Sequence, residues 1–307
     1  MSLLENQDVK ELIRKSSGLD GAAGDKRFKQ IIERVSTDLY HLIEDFDITP
    51  TEFWNAAAYI TRLGQANEVG LLVAGLGVEH CLDIVMDEKE RKAGLAGGTP
   101  RTIEGPLYIV DAPLSKGEAR LDQDPEQGTV LFMEGVVRDG SGSPIPGAIV
   151  DVWHANTKGG YSFFDPSQSP YNLRRRIETD EQGRYRFRSV LPSGYGCPPD
   201  GPTQELLNHL GRHGQRPAHI HFFVEAPGFR KLTTQINIAG DAYLHDDFAF
   251  ATRDGLIPDV VRHASAEEMK AKGLDAPFVS IDFDFQLNRE ATNLPAAVVT
   301  REHAKAA

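Results

Sequence analysis

The hydrophobic period of this chain changes once, near residue 100, and that change limits the folds open to it. Before it, apolar side chains recur at helical spacing; after it, they alternate every second residue. Phe28, Ile31, Ile32, Val35, Leu39, Leu42, Ile43 and Phe46 make the apolar stripe of one long helix. Thr49, Pro50 and Glu52 announce the next, a capping box with proline at the first helical position, and Gly64 stops it. Asn67 is placed to cap a third helix over VGLLVAGLGVEHCLDIVM. That stretch is apolar nearly all round, so it belongs in a core or against another subunit.

Beyond the change, TVLFMEGVVRD and GAIVDVWHA flank the turn-rich GSGSPIP, which predicts a hairpin. GRYRFRSV, AHIHFFVEA, LTTQINIAG and FVSIDFDFQLN follow as strands. In the last, Val279, Ile281, Phe283, Phe285 and Leu287 share one face, and Ser280, Asp282, Asp284 and Gln286 the other. No helical crossover separates most of these strands, so antiparallel pairing is expected, with a short helix at about 203–211. The reading is an α+β chain: a helical region with a linker over 1–105, and an antiparallel β-sandwich over 106–307.

At 307 residues and 40% hydrophobic, the chain can bury a proper core. A net charge of −12 opposes nucleic acid and anionic membranes as partners. No run approaches the roughly 20 apolar residues of a membrane helix, and MSLLENQDVKELIRKSSG holds no apolar signal segment. A cytoplasmic protein without membrane insertion is expected. Cys81 and Cys197 are too few and too distant for a disulfide framework or a thiolate metal site.

Within RPAHIHFF, His219 and His221 stand two residues apart in a strand, so both rings leave the same face, roughly 6.6 Å apart. Two buried neutral imidazoles are costly without partners. A shared metal satisfies them, and so do ordinary core hydrogen bonds; the H-x-H alone does not separate the two. Tyr161 in KGGYSFFD and Tyr195 in PSGYGCPP sit in glycine-rich turns just past strands. Alone, either reads as a packed aromatic with a wet hydroxyl.

Together, DVWHANTKGGYSFFDP, the run from PSGYGCPP to RPAHIHFF and on to LTTQINIAGD, and DDFAFATRDGL resemble one family, the intradiol ring-cleaving catechol dioxygenases. GLLVAGLGVEHCLD and TPRTIEGPLYIVDAP resemble its N-terminal part and linker. The resemblance implies one Fe(III) per subunit, held by Tyr161, Tyr195, His219 and His221. It implies cleavage of catechol by O2 to cis,cis-muconate, as in the beta-ketoadipate route of aromatic degradation. Tyr195 is then also a base for the diol, Arg216 faces the substrate, and Gln235 lies near the iron. Leu71, Ala74, Ile103, Pro106, Leu107, Phe248 and Ala249 carry over as pocket walls, and the small Ala74 implies room for a 4-methyl or chloro group. A homodimer through the N-terminal helices, able to enclose a phospholipid, is implied too. His154 reads as a residue that orders the Tyr161 loop.

The chemistry agrees. A phenol ionises near pH 10, so at neutral pH it needs a strongly positive partner. Hard anionic oxygens favour Fe(III) over Fe(II). The nearest alternatives keep this chemistry and change the diol: chlorocatechol or hydroxyquinol 1,2-dioxygenase. Protocatechuate cleavage needs a cation for the carboxylate, and the sequence offers none beyond Arg216. From other classes come a zinc hydrolase built on the H-x-H and a non-catalytic β-sandwich binding module.

Overall fold

The computed structural model describes residues 3–95, 97–124, 128–297 and 299–305. By its contacts the chain divides into two compact units, Met1–Gln65 and Ala66–Ala307. The first holds α1 (Gln7–Ser16), α2 (Lys26–Asp45) and α3 (Pro50–Gln65). Asp25 caps α2 by accepting from the Phe28 N–H at 2.7 Å. Thr49 and Glu52 exchange the reciprocal bonds of a capping box at the start of α3. The stripe predicted on α2 is there, and much of it is exposed: Phe28 is 62% and Phe46 73% exposed, while Ile32 and Ile43 are half-buried.

The second unit opens with α4 (Val69–Gly75) and α5 (Val78–Lys92). One helix was expected here, capped by Asn67. Instead Asn67 adopts a left-handed backbone, Glu68 is the N-cap, and Gly77, at φ 72°, breaks the run in two. Among the described residues no single helix is long and apolar enough to cross a membrane, and the pair α4–α5 is bent by 61°. Leu76, Val78, Leu82, Ile84 and Val85 are exposed, so the apolar surface of this stretch is not spent on the chain's own core.

The strands are β1 (Ile109–Val110), β2 (Leu114–Lys116), β3 (Glu118–Arg120), β4 (Val130–Asp139), β5 (Ile149–His154), β6 (Arg174–Glu178), β7 (Arg184–Val190), β8 (Tyr195–Gly196), β9 (Gln215–Arg216), β10 (His219–Glu225), β11 (Leu232–Asn237), β12 (Val261–His263), β13 (Phe278–Asp282), β14 (Phe285–Leu287) and β15 (Ala304–Lys305). Two sheets face each other: one ordered β11-β10-β5-β6-β2, the other β12-β13-β4-β7-β3 with β14 also on β4. Val150, Val152, Ile220 and Phe222 from the first meet Leu131, Met133, Phe187, Ile281 and Phe285 from the second. The remaining helices are α6 (Pro202–His209) and α7 (Ala266–Ala271).

Two expectations on pairing change. The long ladders β4–β7, β5–β6, β5–β10 and β10–β11 are antiparallel, but β13 and β14 run parallel to β4, and β2–β6 and β3–β7 are parallel. The expected hairpin is absent, because β4 and β5 lie in different sheets. The GSGSPIP turn folds back only far enough for Ile145 N–H to reach the Val137 carbonyl at 2.8 Å; the chain then crosses to the other sheet.

Gly135 marks the jog between β13 and β14. A Cβ there would lie 1.8 Å from the Phe283 carbonyl oxygen and 3.1 Å from the Tyr185 ring. Gly135→Ala is expected to destabilise the protein by at least about 3 kcal/mol, read as a lower urea midpoint. An unchanged midpoint would contradict this packing.

Candidate active site

The alternation of β10 divides its side chains between two surroundings. Ile220, Phe222 and Val224 enter the sandwich core. His219, His221 and Phe223 leave from the outer face of the same sheet. Register sets His221 beside Trp153 of β5 and beside Gln235 of β11. The Trp153 ring lies flat on His221, with centroids 4.9 Å apart and planes within 6°. Both histidines are buried, and their Nε2 atoms are 3.0 Å apart. His219 Nδ1 donates to the Pro217 carbonyl at 2.6 Å, which leaves Nε2 as the bare nitrogen. Burial, then the charge of Arg216, pulls His219 down to about 3; burial, then its neighbour His219, holds His221 well below its ordinary value. The Nε2 atoms of two neutral imidazoles thus face one buried point.

Two loops bring the tyrosines there. After β5, the Asn156 side chain accepts from the N–H groups of Lys158 and Gly160, both at 2.9 Å, and turns the chain back. Gly159, at φ +83°, lets the two loops touch: a Cβ there would lie 2.8 Å from Tyr195 Cβ. Tyr161 is buried, with Oη 3.3 Å from His219 Nε2. Tyr195, in the β8–β9 pair opposite Arg216, meets Tyr161 edge to face at 5.4 Å and lies 5.5 Å from the His219 ring. Burial, then the nearby Tyr195, pushes the Tyr161 phenol well above its ordinary value. It ionises only against a strong local positive charge.

Arg216 closes the ring of groups. Its Nη1 is 3.0 Å from His219 Nε2 and 3.5 Å from Tyr195 Oη. Its other nitrogens donate to Asp247, at 3.2 and 3.1 Å, and to Gln235 Oε1, at 2.8 Å. Burial alone would loosen the guanidinium proton, but the Asp247 charge raises Arg216 above its ordinary value. Burial lifts Asp247 in turn, and Arg216 more than offsets this, holding the carboxylate below its usual range. Gln235 thus reaches the site through Arg216.

Ala74, Ile103, Phe248 and Ala249 join one buried apolar cluster with Cys197, Leu207 and Ala251. Leu107 packs with Tyr195 against the cluster of Trp153, Ala155, Tyr161 and Phe223. Leu71, half-buried on α4, and the exposed Pro106 belong to neither cluster. His154 is tied to the Ala155 carbonyl and Ser189 Oγ, both at 2.7 Å, as a residue that orders the loop would be.

Sequence reasoning passed over Asp247 and Trp153. Asp247 stands next to the pocket walls in DDFAFAT, and a buried arginine often pairs with a carboxylate, but nothing in the spacing says which one. Trp153 gave itself away only by sharing the strand parity of Asp151.

The residues fit a metal ion. Among the described residues no three of His, Cys, Asp and Glu gather to hold one, so tyrosine must complete any set built on the H-x-H. Two imidazole nitrogens and two phenol oxygens in a dry site suit a hard, highly charged ion such as Fe(III).

Comparisons with known proteins agree. A family model described as Dioxygenase matches residues 103–289, and one described as Catechol dioxygenase N terminus matches residues 25–94. A catechol 1,2-dioxygenase of Acinetobacter baylyi is 52% identical over 305 residues, 98% of each chain. A catechol 1,2-dioxygenase 2 of Acinetobacter lwoffii is 58% identical over 257 residues, 84% of this chain and 94% of its own. The crystal structure of the Acinetobacter radioresistens catechol 1,2-dioxygenase superposes with a TM-score of 0.94 at 53% identity, covering 98% of each chain. This chain belongs to the catechol dioxygenase family of intradiol ring-cleaving enzymes.

Proposed function

We propose that this protein cleaves catechol with O2 between its two oxygenated carbons, giving cis,cis-muconate, at a ferric ion held by Tyr161, Tyr195, His219 and His221. The observation that carries it is the convergence of Tyr161 Oη and the two imidazole Nε2 atoms on one buried point, with Tyr195 and Arg216 at its edge. Relatives sharing half or more of their residues with this chain are named for catechol.

When bound, ferric iron supplies the Lewis acidity that ionises a diol and the electron path between its ring and O2. The chain's residues do the rest. The Tyr195 phenolate accepts a proton from one hydroxyl of the diol. Arg216 Nη1, fixed by Asp247 and Gln235, donates toward negative charge developing on the ring and its oxygens. Neutral His219 and His221 keep the net charge of the site low, so it stays dry. Ala74, Ile103, Phe248 and Ala249, gathered in one buried apolar cluster, wall the diol's ring and exclude water. Both oxygen atoms of O2 enter the product.

Residues 1–105 serve as the helical dimerisation region and residues 106–307 as the catalytic domain, in line with the two family models. The uncovered faces of α2, α4 and α5 support a homodimer, and a face of this kind suits a phospholipid chain as well. The free cysteines suit a reducing cytoplasm.

The test is oxygen uptake by the iron-loaded protein with catechol, 4-methylcatechol, 4-chlorocatechol and hydroxyquinol. One O2 consumed per muconate formed, fastest on catechol, is expected. A faster rate on the chloro or trihydroxy compound would reassign the substrate, and no uptake on any of them would overturn the reading.

A further inference from the structure

The chain's last described residues return to the wall of this site. Arg301 Nε donates to Glu104 Oε1 at 3.0 Å, and its Nη2 reaches both that carboxylate and the Gly105 carbonyl. His303 Nε2 lies 2.8 Å from the same Glu104 oxygen, and its ring meets Tyr108 edge-on at 5.1 Å. β15 then pairs with β1 in parallel, and Lys305 Nζ sits 2.5 Å from Asp111 Oδ2.

The segment so gripped is the one that borders the iron-site face. Ile103 lies in the cluster with Ala74 and Phe248, and Leu107 in the one with Tyr161. A Cβ on Gly105 would be 3.9 Å from His221 Cε1. Tyr108 packs edge-on against Trp153 at 4.8 Å, donates to Asp151 at 2.7 Å, and thereby backs the ring that stacks on His221. A cavity of about 450 Å³, lined by Gly70, Val73, Leu82, Pro106, Ala297 and Val299 among others, lies along this segment, so it has room to shift. Glu104 is buried, and a buried carboxylate without its partners would seek water.

We propose that residues 299–305 are a positioning element for ring cleavage: Arg301, by its ion pair with Glu104, and His303, by its hydrogen-bond contact with the same carboxylate, hold the Ile103–Leu107 wall against the bound diol. Neither residue touches the substrate. The inference rests on the assignment of diol cleavage to this site. It predicts a loss of substrate affinity with little change in turnover, because the iron ligands and Arg216 stand on other elements.

The experiment compares the iron-loaded wild type with Arg301→Ala/His303→Ala and with Arg301→Lys. The double variant is expected to raise the KM for catechol about tenfold, with kcat within about twofold and the visible iron–tyrosinate band unchanged. Amide exchange over residues 103–110 should quicken, in metal-free protein as well. Arg301→Lys, which keeps the charge and loses the fork, should fall between. A KM and an exchange rate equal to wild type would overturn the inference. A KM rise that comes with loss of the band and of kcat would overturn it too, because the tail would then serve the fold or iron retention. Wild-type protein that fails to cleave catechol would sink the diol reading, and the exchange rates would still decide what holds the wall.

Discussion

Tyr195→Phe is expected to lower kcat on catechol by about 10²–10⁴-fold, the range for loss of a positioned acid–base group. The fold should survive. The Tyr195 hydroxyl contacts Arg216 Nη1 at 3.5 Å and the Tyr161 hydroxyl, contacts that the site can spare, while its ring keeps the edge-to-face contact with Tyr161 at 5.4 Å. Thermal unfolding should therefore barely move as turnover collapses. Steady-state oxygen uptake measures the first and calorimetry the second. A variant that turns over at near the wild-type rate would show that the phenol is an aromatic packing group and that the diol loses its proton elsewhere.

Arg216→Ala should harm both activity and stability. Removing one preorganised donor costs about 10²–10³ in kcat. Here it also strands Asp247, a buried carboxylate bonded to Arg216 at two points. Breaking such a pair from one side costs about 3–5 kcal/mol. Asp247 also accepts from the N–H groups of Ala249 and Ala251, so the pocket wall should loosen with it. Denaturation in urea and catechol kinetics on the same preparation check both. Wild-type stability with reduced activity would mean that Asp247 finds other partners; full activity would remove Arg216 from the mechanism.

The site was legible where strand parity and local chemistry decide it. His219 and His221 had to share a face, and Ile220 the other, whatever the rest of the chain did. That Tyr161 and Tyr195 join them was legible only through the family resemblance, because each alone reads as a packed aromatic. The break at Gly77 was less legible: a glycine in an apolar run either continues a helix or ends it, and the packing beyond settles which. Hairpin and crossover look alike at GSGSPIP, because the turn is local while the choice of sheet depends on strands far along the chain. The parallel partners of β4 lie more than a hundred residues away, beyond any local pattern. Asp247 and the Arg301–Glu104 contact were hidden for the same reason: charge pairs joined across the fold leave no spacing to read.

The most direct test of the four-ligand ferric site is the visible spectrum of the iron-loaded protein, taken alone and again with catechol under anaerobic conditions. A tyrosinate-to-iron charge-transfer band, moved to longer wavelength by catechol, is the predicted result. A protein that binds ferric iron yet stays colourless would contradict the account, because Tyr161 and Tyr195 would then not be its ligands.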